Sequence, residues 1–201
     1  MPTYKLCYFD IRGLGEMIRL MFKDAGVEFE DCRVNFNDWT PIKPTMPFGK
    51  MPVLFVDGKP LAHSRAIVRY LARELNYSGQ NSFETGEIDV WFETLFELFD
   101  KLPWSENDET KKAELIIKFM KEEAGPKFEK LEAQIKANGG PYVMGKNATF
   151  VDFAMLGLAD LFLSKFKIAL DDYPGVMKQL KAMRERPNVA AWIAKRPSSD
   201  F

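Results

Sequence analysis

The chain has 201 residues, 46% of them hydrophobic and 28% charged, with a formal net charge of −1. That length allows one large or two small domains with a sizeable core, and the composition is that of a globular chain rather than a disordered one. The near-neutral balance gives no electrostatic case for nucleic acid or an anionic membrane surface. The two cysteines, Cys7 and Cys32, form no C-x-x-C pair, which argues against a disulfide framework and for a reducing compartment.

Tyr4 to Phe9 is β-rich and predicts a first strand, with Tyr8 near its end. Arg12-Gly13-Leu14-Gly15 predicts a turn. Met17, Ile18, Met21, Phe22 and Ala25 then share one helical face, and Gly26 ends the helix. Glu28 to Val34 predicts a second strand. Asn35 to Lys50, with Pro41, Pro44 and Pro47, is expected to be irregular. Phe48-Gly49-Lys50 leads into Met51-Pro52, and an X-Pro bond is where a cis peptide is cheap. Four apolar β-formers, Val53 to Val56, run into Asp57-Gly58, a type I′ hairpin signal. Ser64 stands where an N-cap belongs, before the amphipathic run Arg65 to Leu71. An exposed Met51 backbone can pair with an extended ligand as an extra strand, and a helix N-terminus suits a carboxylate. Together they describe a cradle for a small acidic peptide.

The order β-α-β-loop-β-β-α is an α/β unit of thioredoxin-like size. After the polar stretch Asn76 to Ser82 almost everything has helical period. Ile88, Trp91, Phe92, Leu95, Phe96 and Phe99 form one apolar stripe; Leu115, Ile116, Phe119 and Met120 form a second. Phe128, Leu131 and Ile135 follow, and Gly139-Gly140-Pro141 breaks that helix. Thr149-Phe150-Val151-Asp152 has the form of a capping box opening the most apolar helix of the chain, too short and too charged for a membrane span. Pro174 and Pro187 punctuate two last helices. The expected organisation is therefore α/β plus all-α: residues 1–77, a linker at 78–82, and a helical-bundle domain at 83–201. The N-terminus shows no leader pattern, so a cytoplasmic location is expected.

Several side chains suit chemistry. The phenol of Tyr8, at the carboxyl end of a strand, can donate to an anion such as a thiolate; the alternative is a half-buried tyrosine with a satisfied hydroxyl. Trp39 and Lys43 can both reach a carboxylate, or can be an interfacial aromatic and a solvated charge. His63 is the sole histidine; without a companion Cys or His no metal site is expected, and with no Gly-x-Ser-x-Gly a hydrolase triad would have to rest on this one residue. Gly13-Leu14-Gly15 lacks the third glycine of a dinucleotide fingerprint. Phe99 or Trp104 can line an apolar pocket, although the aromatic stripe is mostly core.

Four segments together, Tyr4 to Gly13, Pro47 to Leu54, His63 to Leu71 and Thr149 to Asp152, carry a resemblance. In that order and spacing the chain resembles a cytosolic glutathione S-transferase, and within that family the sigma class in an invertebrate, nematode-like style. The ending Trp192 to Pro197 is similar too. The resemblance spans the whole chain and implies an N-terminal thioredoxin-like glutathione-binding domain and a helical domain carrying most of the electrophile pocket.

The resemblance also implies roles. Tyr8 would donate to the glutathione sulfur. Trp39 and Lys43 would hold the glycine carboxylate, the Met51 backbone the cysteinyl unit, and Ser64 the γ-glutamyl carboxylate. Gly49, Lys50, Pro52 and His63 would complete the glutathione site. Glu97 stands where the family often has an Asp that reaches across a dimer to the γ-glutamyl amine. Ile11, Leu14, Phe99, Trp104 and Phe201 would form the pocket for small apolar electrophiles. A homodimer would be anchored by Phe48, and no cofactor is needed beyond glutathione as cosubstrate. Two departures stand out. His63 replaces the usual Gln, and Leu14 stands where some sigma enzymes that isomerise prostaglandin H carry an Arg. A glutathione-dependent prostaglandin-H D-isomerase and a non-catalytic ligandin for haem and other apolar anions are the alternative readings.

Overall fold

The structure is a computed structural model and describes residues 2–199. The chain gathers into two compact units. One is Gly79–Met183; the other holds the described residues before Gly79 together with those from Arg184 onward.

The first unit is built on a four-stranded mixed sheet of order β2-β1-β3-β4. Strand β1 (Tyr4–Phe9) pairs in parallel with β2 (Glu30–Val34) and antiparallel with β3 (Val53–Val56), which pairs antiparallel with β4 (Lys59–Ala62). The hairpin between β3 and β4 turns on Asp57 and Gly58, with φ of 48° and 78°, the two left-handed positions that a type I′ turn requires. The second strand begins two residues later than the sequence predicts. The chain leaves α1 (Glu16–Asp24) through Gly26 at φ 65°, and pairing with β1 starts only at Glu30, opposite Lys5.

Asn35 to Lys50 is more ordered than expected. It winds into one-turn pieces: Phe36–Asp38, α2 (Trp39–Ile42), Lys43–Thr45 and Pro47–Gly49. Pro44 and Pro47 sit in the first turn of their pieces, where the missing N–H costs nothing and the fixed φ already fits. The Met51–Pro52 bond is cis. Helix α3 (Ser64–Glu74) follows β4.

The second unit holds α4 (Ser82–Asp100), α5 (Glu109–Phe119), α6 (Gly125–Ala137), α7 (Phe150–Asp160) and nearly all of α8 (Pro174–Arg184). Asn81 caps α4 by accepting the Glu84 N–H at 3.0 Å. Helix α7 is buried from Phe150 to Ala159, and its capping box forms between Thr149 and Asp152. The second apolar stripe departs from expectation. Leu115 is 44% exposed, and the off-stripe Ile117 is 69% exposed, so α5 buries only its far end at Phe119. Among the described residues no helix is long and apolar enough to cross a membrane.

Helix α9 (Pro187–Lys195) belongs to the first unit. It is fastened to α1 by polar contacts. Glu16, 1% exposed, accepts from the Trp192 indole N–H and from Arg196 Nη1, both at 2.9 Å. Asp24 accepts from Nε and Nη2 of Arg186, each at 2.6 Å, and from the Tyr77 hydroxyl at 2.6 Å.

Candidate active site

Side chains alternate along β1, so Tyr4, Leu6 and Tyr8 share the face towards α1 and Cys7 and Phe9 the other. The Tyr4 ring lies 5.0 Å from that of Phe22 on α1. Tyr8 is 7% exposed. Its hydroxyl oxygen accepts the Leu14 N–H at 3.2 Å. Burial pushes its pKa up, opposed by the Leu14 N–H and by the Arg19 charge. The phenol is therefore neutral at physiological pH. With its oxygen accepting from the backbone, its own proton remains to be donated.

The turn after β1 is shaped to that ring. A Cβ on Gly13, which has φ 38°, would come within 2.7 Å of the Tyr8 hydroxyl, and one on Gly15 within 2.5 Å of ring atom Cδ1. The loop is held from beneath by Arg19, a fully buried side chain. Arg19 donates to the carbonyl of Ile11 at 2.8 Å and pairs with Asp31 at 2.9 Å and, more distantly, Glu16 at 3.4 Å. Its guanidinium carbon lies 5.9 Å from the Tyr8 ring centroid. Gly13, Gly15 and Arg19 were not among the residues that the sequence pointed to as functional. For Arg19 the signal was a base three residues after Glu16 in a helix whose neighbouring positions are apolar.

Leu14, Lys50, Met51, Pro52, His63 and Ser64 line one cleft of about 140 Å³, with Pro47, Phe48 and Ala62 completing the wall. These predicted positions are thus brought together around the entry to α3. One local expectation is corrected here. Ser64 is the first residue of α3 rather than its cap; the cap position is His63, at φ 67° and without a side-chain cap bond. Entering the helix from that conformation, the chain sets Ser64, 8% exposed, into the cleft wall. The His63 ring packs 5.2 Å from Phe48, itself 78% exposed.

Other predicted residues lie outside that lining. Trp39 opens α2 and meets Phe9 edge-on at 5.3 Å. The Lys43 stem runs beside Gly49, whose φ is 57°. The side chain of Ile11 reaches towards Gly13. In the helical unit Phe99 and Trp104 pack with ring centroids 4.8 Å apart, and the indole N–H donates to the Phe99 carbonyl at 2.8 Å. Glu97 is exposed and pairs with Lys127 at 3.5 Å. Phe201 lies outside the described residues. Among the described residues no group of three or more His, Cys, Asp or Glu is placed to hold a metal ion.

The mixed sheet with its helices, followed by an all-helical unit, defines a thioredoxin-like domain joined to a helical one. Residues 4–73 match the family described as glutathione S-transferase, N-terminal domain, and residues 94–196 that described as glutathione S-transferase, C-terminal domain. The chain is 37% identical to "Glutathione S-transferase 1" of Ascaris suum over all of both chains. It is 35% identical to "Hematopoietic prostaglandin D synthase" of Gallus gallus, covering 99% of each. The crystal structure of the glutathione S-transferase from Ascaris lumbricoides superimposes with a TM-score of 0.85 at 37% identity, each chain covered completely. The chain belongs to the glutathione S-transferase family. It is an enzyme of that family, which uses glutathione as cosubstrate and no metal cofactor.

Proposed function

We propose that this chain is a sigma-class, homodimeric glutathione transferase that conjugates glutathione to small apolar electrophiles in the cytoplasm, with Tyr8 as its catalytic residue. The observation that carries the reading is the Tyr8 hydroxyl: buried, neutral, and accepting from the Leu14 N–H so that its own proton is left to donate. A free thiol has a pKa of about 8.5. A hydrogen bond from Tyr8 to the sulfur favours the anion, and each unit of depression is about 1.4 kcal/mol of selective stabilisation. The thiolate then attacks the electrophile by addition or substitution.

Residues 1–77 bind glutathione in this reading, and the helical part, 83–201, carries most of the electrophile pocket. Ser64 and the positive end of α3 take the γ-glutamyl carboxylate. The Met51 backbone pairs with the cysteinyl unit in the manner of an added strand, flanked by Lys50, Pro52 and His63. Trp39 and Lys43 take the glycine carboxylate beside Gly49. Leu14, at the cleft and next to the Tyr8 hydroxyl, gives the sulfur subsite an apolar flank. Phe48, at 78% exposure, is an aromatic anchor suited to a two-fold dimer.

The test is conjugation to an activated aryl chloride by the wild type and by Tyr8→Phe. The variant keeps the ring and loses only the hydroxyl. A hydrogen bond to a charged group is worth about 1.5–3 kcal/mol, so kcat should fall by about 10- to 100-fold. No turnover by a wild type that still binds glutathione overturns the proposal.

A second reading is kept because a full-length relative is named hematopoietic prostaglandin D synthase. In it the same thiolate isomerises a prostaglandin endoperoxide and glutathione is regenerated. Leu14, in place of an arginine, speaks for conjugation. Product analysis with prostaglandin H distinguishes the two.

A further inference from the structure

Cys7 and Cys32 are register partners on the parallel strands β1 and β2, so both side chains leave the sheet on one face, away from α1. That pairing sets the two thiols side by side, and neither is in a disulfide. Cys7 is 2% exposed, while Cys32 is half-buried and reachable from outside. Both line a cleft of about 610 Å³ that Val34, Ile42, Met46 and Phe55 make largely apolar. Lys5 and Glu30, paired at 2.8 Å, stand beside it. Nothing in the proposed transferase chemistry uses this cleft.

We propose that this cleft captures trivalent organoarsenicals, which bridge the sulfurs of Cys7 and Cys32. The step is a condensation. An arsenical R–As=O and two thiols give R–As(S–Cys)2 and water. Two As–S bonds form, the As=O bond breaks, and both thiol protons leave on the oxide oxygen. Arsenic stays trivalent, so no oxidant or reductant is needed. An aryl or alkyl substituent gains by burial against the apolar wall, and the Met46 thioether adds a soft, polarisable neighbour.

Burial, followed by the neighbouring Cys32 thiol, pushes the Cys7 thiol up to about 12. Disulfide exchange needs a thiolate, which is scarce there at neutral pH. Condensation draws on neutral thiols. Two thiols already side by side also make the second As–S bond intramolecular, an advantage that a free monothiol such as glutathione lacks.

The experiment uses the reduced full chain and one equivalent of phenylarsine oxide, read by intact mass and by thiol titration under denaturing conditions. The expected result is a mass gain of one arsenical less one water and the loss of two titratable thiols. The adduct should survive millimolar glutathione and be removed by a 1,2-dithiol. Cys32→Ser, at the half-buried position, should lower the fraction retained under glutathione by at least about 100-fold, and Cys7→Ala should do the same. If Cys7→Ala fails to fold, Cys32→Ser decides alone. The proposal is overturned by no adduct, by an adduct that glutathione strips from the wild type, or by one that Cys32→Ser retains. Two thiols already missing from the untreated reduced chain overturn it as well.

Discussion

A methyl group on Gly15 would sit 2.5 Å from Cδ1 of Tyr8, closer than real side-chain carbons approach. The Gly15 backbone, at φ −78° and ψ −24°, is one that alanine adopts readily. Any loss in Gly15→Ala therefore comes from the contact and not from backbone strain. The ring must shift, and its hydroxyl shifts with it. We expect kcat to fall by about 10-fold or more, with about 1–3 kcal/mol of stability lost to overpacking. In a Tyr8→Phe background the same substitution should cost little further activity, since the hydroxyl is already gone. Full activity in Gly15→Ala would show that the tyrosine is not held by this turn.

The pH profile separates the tyrosine from the thiol. Burial holds the Tyr8 pKa above the ordinary phenol value of about 10, so the donor is intact throughout the neutral and mildly alkaline range. With glutathione saturating, a rise with pH in that range of kcat/KM for the electrophile therefore reports ionisation of bound glutathione. Removing the donor in Tyr8→Phe should move the midpoint upward, towards the free-thiol value of about 8.5. An unmoved midpoint, or a wild-type decline between pH 8 and 9.5, contradicts the assignment.

Arg186 and Asp24 form a two-pronged pair, with both N···O distances 2.6 Å. Asp24 is nearly buried, at 5% side-chain exposure, and Arg186 is 28% exposed. Arg186→Ala leaves that carboxylate with the Tyr77 hydroxyl as a donor but without its guanidinium. A fully buried pair broken this way costs about 3–5 kcal/mol; allowing for the partly exposed arginine, about 2 kcal/mol is expected. Arg186→Lys should recover only part, because an ammonium cannot reproduce the fork. Urea unfolding measures both, and a lysine variant as stable as wild type would show that the fork contributes nothing.

What the sequence reveals and what it hides follow from range. The hairpin at Asp57-Gly58 and the capping box at Thr149 are set by residues within a few positions of each other, and both are read directly. Near α3 the same logic fails by one residue. A serine before an amphipathic run looks like a cap, yet His63 takes the positive φ and Ser64 moves into the helix. The support of Tyr8 is hidden for another reason. Periodicity assigns Glu16 and Arg19 to the outer face of α1, but every residue from Glu16 to Phe22 is buried. Their partners, Asp31, Trp192 and Arg196, lie 12 to 180 positions away, where local patterns say nothing. Leu115 shows the converse: its spacing is helical and apolar, and it is nevertheless exposed.

Asp152 is fully buried, and four donors converge on its carboxylate. They are the Val143 N–H at 3.0 Å, the Thr149 N–H at 2.8 Å, the Thr149 hydroxyl at 3.1 Å and the Gln179 amide at 3.0 Å. The carboxylate thus ties the start of α7 to the loop before it and to α8. Asp152→Ala strands all of these donors away from water, so the loss should be about 3 kcal/mol or more. Thr149→Ala removes only the cap hydroxyl and should cost about 1 kcal/mol. The order of the two is the sharper test. If urea unfolding finds Thr149→Ala as costly as Asp152→Ala, the carboxylate is an ordinary helix cap and not the hub that joins α7 to its neighbours.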